Sequence, residues 1–256
     1  MSPAPLRLVQ FTDSHLFGSP DRLLRGVATL ANFEAVLAAA HASAAPWSAV
    51  LLTGDIVHDD PGGYAHVRRL LGASPVPVLC LPGNHDIPAA MREALGTAPF
   101  QTGGHATLGP WLLVMLDSYV PGTDAGQLAP AELARLDATL AAHPDRHALV
   151  CVHHHPVDVG SRWIDALALE NAAALFAVLD RHPQVRAIAW GHVHQAYDGE
   201  RRGVRLLGSP ATSAQFKPRL DTFAIDDLPP GFRWLDLYAD GRIATGTGRV
   251  ADATRG

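Results

Sequence analysis

Lysine is almost missing from this chain: Lys217 is the single one in 256 residues, so arginine carries nearly all of the positive charge. The formal net charge is −5, which excludes nucleic-acid binding driven by bulk phosphate neutralisation. Cysteine is scarce as well. Cys80 and Cys151 lie inside apolar runs ("PVLCL" and "LVCVH"), read as reduced core residues, and offer no disulfide framework. Long apolar stretches are also lacking, since no run reaches the roughly 18 residues of a membrane span. The opening "MSPAPLRLVQFTDSHLF" has no charged segment leading into an apolar one. These absences lead to the expectation of a cytoplasmic protein with neither membrane nor nucleic acid as partner.

What is present is a moderately apolar chain, 48% hydrophobic and 18% charged, long enough to bury a substantial core. Short apolar runs occur at 6–12, 49–54, 76–83, 111–118, 148–154 and 185–191, each ending in small or polar residues, as strands buried on both faces do. Helical spacing predicts helices over 27–43, 63–72, 130–143 and 169–182, with Pro130 suited to a first helical turn. Beyond residue 200, "GVRLLGS", "DTFAI", "GFRWLDLYA" and "GRIATGT" read as strands, with "ADGR" at 239–242 as a hairpin turn. The expectation is a single α/β domain over 1–256, with two facing sheets, outer helices, and residues of about 200–250 adding strands to the second sheet.

The fourteen histidines are not scattered evenly. Five apolar runs end in "TDSH", "GDIVHDD", "PGNHD", "HHHP" and "GHVH". They deliver Asp13 and His15, Asp55, Asn84 with His85, His153 to His155, and His192 with His194. Ligands of open α/β sheets bind outside the carboxyl ends of the strands. One such histidine is more often a satisfied loop residue than a ligand, but five strand ends of the same chemistry point to a metal site. Imidazole mixed with carboxylate and amide oxygen, and no thiolate, suits iron or manganese, with zinc possible. These donors are too many for one tetrahedral ion. They suit two divalent ions sharing a carboxylate, the arrangement, with ions about 3.5–4 Å apart, that performs in-line displacement at phosphorus.

The blocks "DSH", "GD", "GNHD", "HHHP" and "GHVH", in this order across residues 13 to 194, resemble the signature of the calcineurin-like metallophosphoesterases. "HHHPVDVGSRWID", "GHVHQAYDGERRGVRLLGSPATSAQFKP" and "PPGFRWLDLYADG" further resemble the bacterial class III 3′,5′-cyclic-AMP phosphodiesterases, so the likeness covers nearly the whole chain. The resemblance implies a four-layer α/β/β/α sandwich, two facing mixed sheets flanked by helices, and a phosphodiesterase that converts 3′,5′-cyclic AMP, a small cyclic nucleotide, to 5′-AMP. It implies that Asp13, His15 and His194 hold one metal, that Asn84, His153 and His192 hold the other, and that Asp55 bridges them. It implies a catalytic His85 beside the phosphate, with His15, Asn84 and His194 also touching substrate, and attack by a metal-bridging hydroxide. An acid just past "GD" orients this histidine in some relatives, and Asp59 and Asp86 are both candidates here. Alternatives are another diester of the same chemistry (a 2′,3′-cyclic nucleotide, a glycerophosphodiester or an aryl diester) and a non-catalytic interaction scaffold. The complete donor set argues against the scaffold.

Among the three consecutive histidines, His153 is the first side chain past the strand and shares the pleat face of Cys151. His154 is the fallback ligand, and His154 and His155 otherwise read as residues behind the ligands or at the pocket rim. Trp163 is balanced between walling the site or stacking a base and simple packing. Phe216, Lys217 and Pro218 read as a loop packed on the C-terminal strands, with a substrate role as the alternative. Arg201 and Arg202 read as solvent-facing turn residues.

Overall fold

The computed structural model describes residues 4–42 and 46–250. Twelve strands form two six-stranded sheets. In the first sheet the parallel strands β1 (Leu6–Phe11), β2 (Ala49–Thr53), β3 (Val78–Leu81) and β4 (Phe100–Thr102) stand side by side. The second sheet has β5 (Gly104–Leu108), β6 (Trp111–Met115), β7 (His147–Cys151) and β8 (Val185–Trp190), followed by β10 (Val204–Gly208) and β9 (Tyr197–Arg201) at its edge. β6, β7, β8 and β10 run parallel, and the edge strands β5 and β9 are antiparallel. The last two strands, β11 (Gly231–Leu237) and β12 (Ile243–Arg249), return to the first sheet, β11 pairing antiparallel with β1.

Alternation along the strands explains why they read as unbroken apolar runs. In β1, Leu8 faces the space between the sheets while Val9 and Phe11 face outward, and in β7 Leu149 and Cys151 face inward while Ala148 and Val150 face outward. Both faces are therefore dry, and the period of two is hidden in hydrophobicity. The outer face of the first sheet is covered by α1 (Thr29–His41), α2 (Tyr64–Leu71) and α3 (Pro88–Leu95), through residues such as Phe33, Val67 and Met91. The second is covered by α4 (Pro130–Ala141) and α6 (Ala172–Leu179), through Leu136, Leu140 and Leu175. The result is the expected α/β/β/α sandwich. Two polar pins cross its middle. Gln10 donates from β1 to the carbonyl of Trp190 at 3.0 Å. Arg233 donates from β11 to the carbonyls of Gly208 (2.8 Å) and Tyr197 (2.9 Å), and its burial pushes the guanidinium down to about 10.

Several expectations need correction. Residues 200–250 do not all join the second sheet: only β10 and the end of β9 do, while β11 and β12 extend the first. "DTFAI" is not a strand. It belongs to a flap closed by one bridge between Phe216 and Ile225, since the flanking Pro218, Pro229 and Pro230 leave no ladder to join. The elements β4, β5, β9 and α3, and the one-turn helix α5 (Arg162–Asp165), are too short to show a clear periodicity. Arg202 faces solvent in a turn as expected, whereas Arg201 is half-buried at the end of β9; both bind Asp180, at 2.7 and 2.6 Å. Both cysteines are buried free thiols. Among the described residues, no helix is long and apolar enough to cross a membrane.

Candidate metal centre

The carboxyl ends of β1, β2 and β3 from one sheet and of β7 and β8 from the other meet at one end of the sandwich. Each chain turns sharply there. Among the described residues nine non-glycine positions have positive φ, and five of them are Asp13, His15, Asp55, His192 and His194. Such backbone costs about 1–2 kcal/mol per residue, and it collects at sites where the surrounding structure holds it in place. Here the clamps are visible. The Asp13 and His15 amides donate to the carbonyls of Gly54 (3.0 Å) and Asp55 (2.8 Å), and Ser213 Oγ donates to the Asp13 carbonyl at 2.6 Å.

Asp55 stands at the middle. Its Oδ1 accepts the His85 amide at 2.8 Å and lies 3.5 Å from His153 Nε2, while Oδ2 lies 3.7 Å from His15 Nε2. On one side, Asp13 accepts the His192 amide at 3.0 Å and has His194 Nε2 at 3.3 Å from its Oδ1. His15 Nε2 and His194 Nε2 face each other at 3.2 Å. On the other side, His153 Nε2 lies 3.2 Å from Asn84 Oδ1. All seven expected donors are thus gathered into one cluster.

The tautomers show what the cluster is built to hold. His153 Nδ1 donates to the Thr53 carbonyl at 2.8 Å and His194 Nδ1 to the Ala214 carbonyl at 2.6 Å, so in the neutral rings each Nε2 carries a bare lone pair. Those lone pairs face other acceptors, and His192 Nε2 is buried with no partner at all. Acceptors aimed at acceptors are stable only around a cation, so the residues fit divalent metal. The electrostatics agree. Burial opposes ionisation of Asp55, yet the imidazoles of His153, His15 and His85 hold its carboxyl well below the usual range. For His153, burial works against the charged ring, but Asp55 and Asp13 overcome it and raise it to about 9: without a metal, a proton takes the cation's place. Burial holds His15 and His192 well below the ordinary histidine value.

His154 stands next to this centre, with a ring nitrogen within 4.8 Å of ligand atoms of His153 and His192, but both of its nitrogens are engaged, by Ser118 Oγ at 2.7 Å and by the Asp124 carbonyl at 3.2 Å. His155 lies 3.4 Å from Asp165. Neither is on the pocket rim, because both are fully buried. His85 receives its acid from Asp59: Oδ2 accepts from Nδ1 at 3.2 Å, and the Asp59 amide donates back to the His85 carbonyl at 3.0 Å. Asp86 has a different task. Its carboxylate accepts the amides of Ile56 (3.2 Å), Val57 (3.2 Å) and Gly83 (2.9 Å) and the Tyr64 hydroxyl (2.8 Å), tying the loop after β2 to the loop after β3. Burial and nearby Asp55 raise this carboxyl to about 6.

Sequence reasoning missed His58, whose Nδ1 sits 3.1 Å from His15 Nδ1 and whose ring lies 4.2 Å from that of His85. The available signal was its position three residues past Asp55 in a loop already singled out. The centre opens into a cavity of about 560 Å³, with Trp163 and Phe216 in its wall. Phe216 is therefore more than loop packing, while Lys217 is exposed and outside the lining.

Comparison with known proteins gives a consistent result. The calcineurin-like phosphoesterase family matches residues 6–196. The chain is 38% identical over 251 residues to the 3′,5′-cyclic adenosine monophosphate phosphodiesterase CpdA of Escherichia coli K12, covering 97% of this chain and 91% of that protein. It is 37% identical to a 3′,5′-cyclic-nucleotide phosphodiesterase of Nostoc, covering 96% and 93%. Among solved structures, a dimetal phosphatase from Danio rerio superposes with a TM-score of 0.68 at 14% identity, covering 97% of this chain and all of the other, a likeness of fold.

Proposed function

Because the chain belongs to the calcineurin-like phosphoesterase family, we propose that it is a phosphodiesterase that opens the ring of 3′,5′-cyclic AMP to give 5′-AMP at a dinuclear metal centre. The observation that carries the reading is the convergence of bare imidazole lone pairs and buried carboxylates on Asp55 from five strand ends. The choice of cyclic AMP is supported by the near full-length similarity to phosphodiesterases of that substrate.

In this reading Asp13, His15 and His194 would hold one ion and Asn84, His153 and His192 the other, with Asp55 shared between them. The pair supplies Lewis acidity and an activated water for in-line displacement at phosphorus, and iron or manganese suits the donors, with zinc possible. The chain's own residues arrange the rest. Asp59 fixes the His85 ring through Nδ1, which leaves Nε2 free for the phosphate. There His85, in its doubly protonated form with Nδ1–H on Asp59, donates from Nε2 to a phosphoryl oxygen, or hands that proton to the 3′-oxygen as the P–O3′ bond breaks and the P–O bond to water forms. His15, Asn84 and His194 flank the phosphate. The two buried free thiols accord with a cytoplasmic, reducing setting.

The test is a substrate panel on metal-reconstituted protein: 3′,5′-cyclic AMP, 2′,3′-cyclic AMP, a glycerophosphodiester and an aryl diester. A clear advantage in kcat/KM for 3′,5′-cyclic AMP is expected. Comparable constants across the panel would overturn that assignment.

A further inference from the structure

The metal centre takes up only part of the cavity lining, and the rest has a different chemistry. Phe216 lies parallel over the His194 ring, 3.8 Å between centroids at 8°, so an aromatic face begins directly beside the phosphate position. Trp163 and Phe223 stand edge-on to Phe216 at 5.3 and 5.1 Å, and to each other at 5.2 Å, making a three-ring corner. Leu24 and Ile225 continue the wall. These residues come from three separate excursions: the loop before α1, the one-turn helix α5, and the flap at 214–228. Among the described residues the exposed large apolar side chains are Leu23, Leu220, Phe223, Ile225 and Leu228, and all sit on two of those excursions. Exposed apolar surface gathered at a cavity mouth marks a contact site.

We propose that this corner is a stacking slot for the nucleobase, and that it selects for a flat aromatic ring without reading the ring's edge. The proposal rests on the cyclic-nucleotide reading above and deepens it. With phosphate at the metal centre, the remaining cavity, about 560 Å³ in all, is of small-molecule size. Trp163, Phe216 and Phe223 line it, and aromatic rings stack on any base. The lining's carboxylate outside the metal cluster, Asp124, stands beside Asn84 on the metal side, its Oδ1 3.5 Å from Asn84 Nδ2, so the aromatic corner itself offers few edge-reading groups. The Trp163 indole N–H is sealed inside the ring cluster, closed to a base edge, and Ser213 spends its hydroxyl on the Asp13 carbonyl. Arg25, the one Arg or Lys among the described lining residues, lies 4.9 Å over the Phe223 ring, where it extends the stack. Adenine and guanine are therefore held alike.

The test is calorimetric binding of 5′-AMP, 5′-GMP and ribose 5-phosphate to the metal-loaded protein, alongside its turnover of cyclic AMP. Wild type should bind 5′-AMP about tenfold or more tightly than ribose 5-phosphate, and 5′-GMP within a few-fold of 5′-AMP. Phe223→Ala and Trp163→Leu should each lose most of that preference at unchanged metal content. Phe223 is 38% exposed, so its removal leaves folding intact and decides the matter even if the Trp163 variant misfolds. Equal affinity for 5′-AMP and ribose 5-phosphate in a wild type that turns over cyclic AMP would overturn the slot alone. The slot also falls if both variants keep the full preference, and a gap above tenfold between the two purines overturns edge-blindness. No cyclic-AMP turnover would overturn the functional reading itself.

Discussion

Gly83 offers a sharp test of how the centre is packed. A Cβ added there would lie 2.3 Å from Asp55 Oδ1, 2.5 Å from the Asp55 amide nitrogen and 2.7 Å from His153 Cε1. Ordinary contact needs about 1 Å more at each point. Gly83 does not occupy the left-handed region, so Gly83→Ala adds a steric fault without a conformational one. None of the three neighbours can yield cheaply. Asp55 is fixed by the His85 amide, His153 by the Thr53 carbonyl, and Gly83 itself by Asp86. Overpacking of this kind costs about 1–3 kcal/mol, and the rigid surroundings put the value at the upper end, lowering Tm by about 6–12 °C. A displacement of about 1 Å at a reacting centre costs about a hundredfold in turnover. The assays are thermal unfolding of metal-free protein, metal stoichiometry by elemental analysis, and kcat/KM on a diester. A Gly83→Ala protein with wild-type Tm, two bound ions and unreduced turnover would refute the packing argument.

His85→Ala should keep metal stoichiometry and lose about 10²–10⁴-fold in turnover; equal loss of metal would instead make it a ligand. Asp59→Asn should cost about tenfold, much less than His85→Ala, because it frees the ring without removing it. If its loss matches that of His85→Ala, Asp59 does more than orient. Asp86→Ala strands three buried amides and a hydroxyl, so chemical denaturation should show a loss of about 3 kcal/mol or more. The pH dependence follows from His153, raised to about 9 without metal. A metal must displace that proton, so affinity should fall as pH drops below about 9, by up to about tenfold per unit. Stability of the metal-free protein should run the other way: the raised value contributes stability that is present below about pH 6.5 and is lost on passing through about 9. Calorimetric titration at several pH values and apo unfolding at the same pH check both signs, and a flat metal affinity would count against the proton-for-metal exchange.

Much of this protein was legible without coordinates. Each donor block follows a strand apolar enough to be recognised, and parallel strands in a sandwich deliver their carboxyl ends to a common edge. Strand order along the chain and donor chemistry were therefore sufficient to bring these blocks to one edge and to exclude thiolate ligation, and the family resemblance selected Asp13, His15, Asp55, Asn84, His153, His192 and His194 among them. Tertiary structure alone decided where side chains point. His153 faces the centre because a carbonyl from the other sheet, that of Thr53, holds its Nδ1, while Ser118 and the Asp124 carbonyl engage both ring nitrogens of His154. Asp59 rather than Asp86 serves His85 because Asp86 is consumed by amides of the neighbouring loop. The same holds for the flap that carries Phe216 and Phe223 to Trp163, and for β11 and β12 rejoining the first sheet. Direction past a strand end depends on left-handed backbone and on partners far away in sequence, and neither leaves a local periodicity to read.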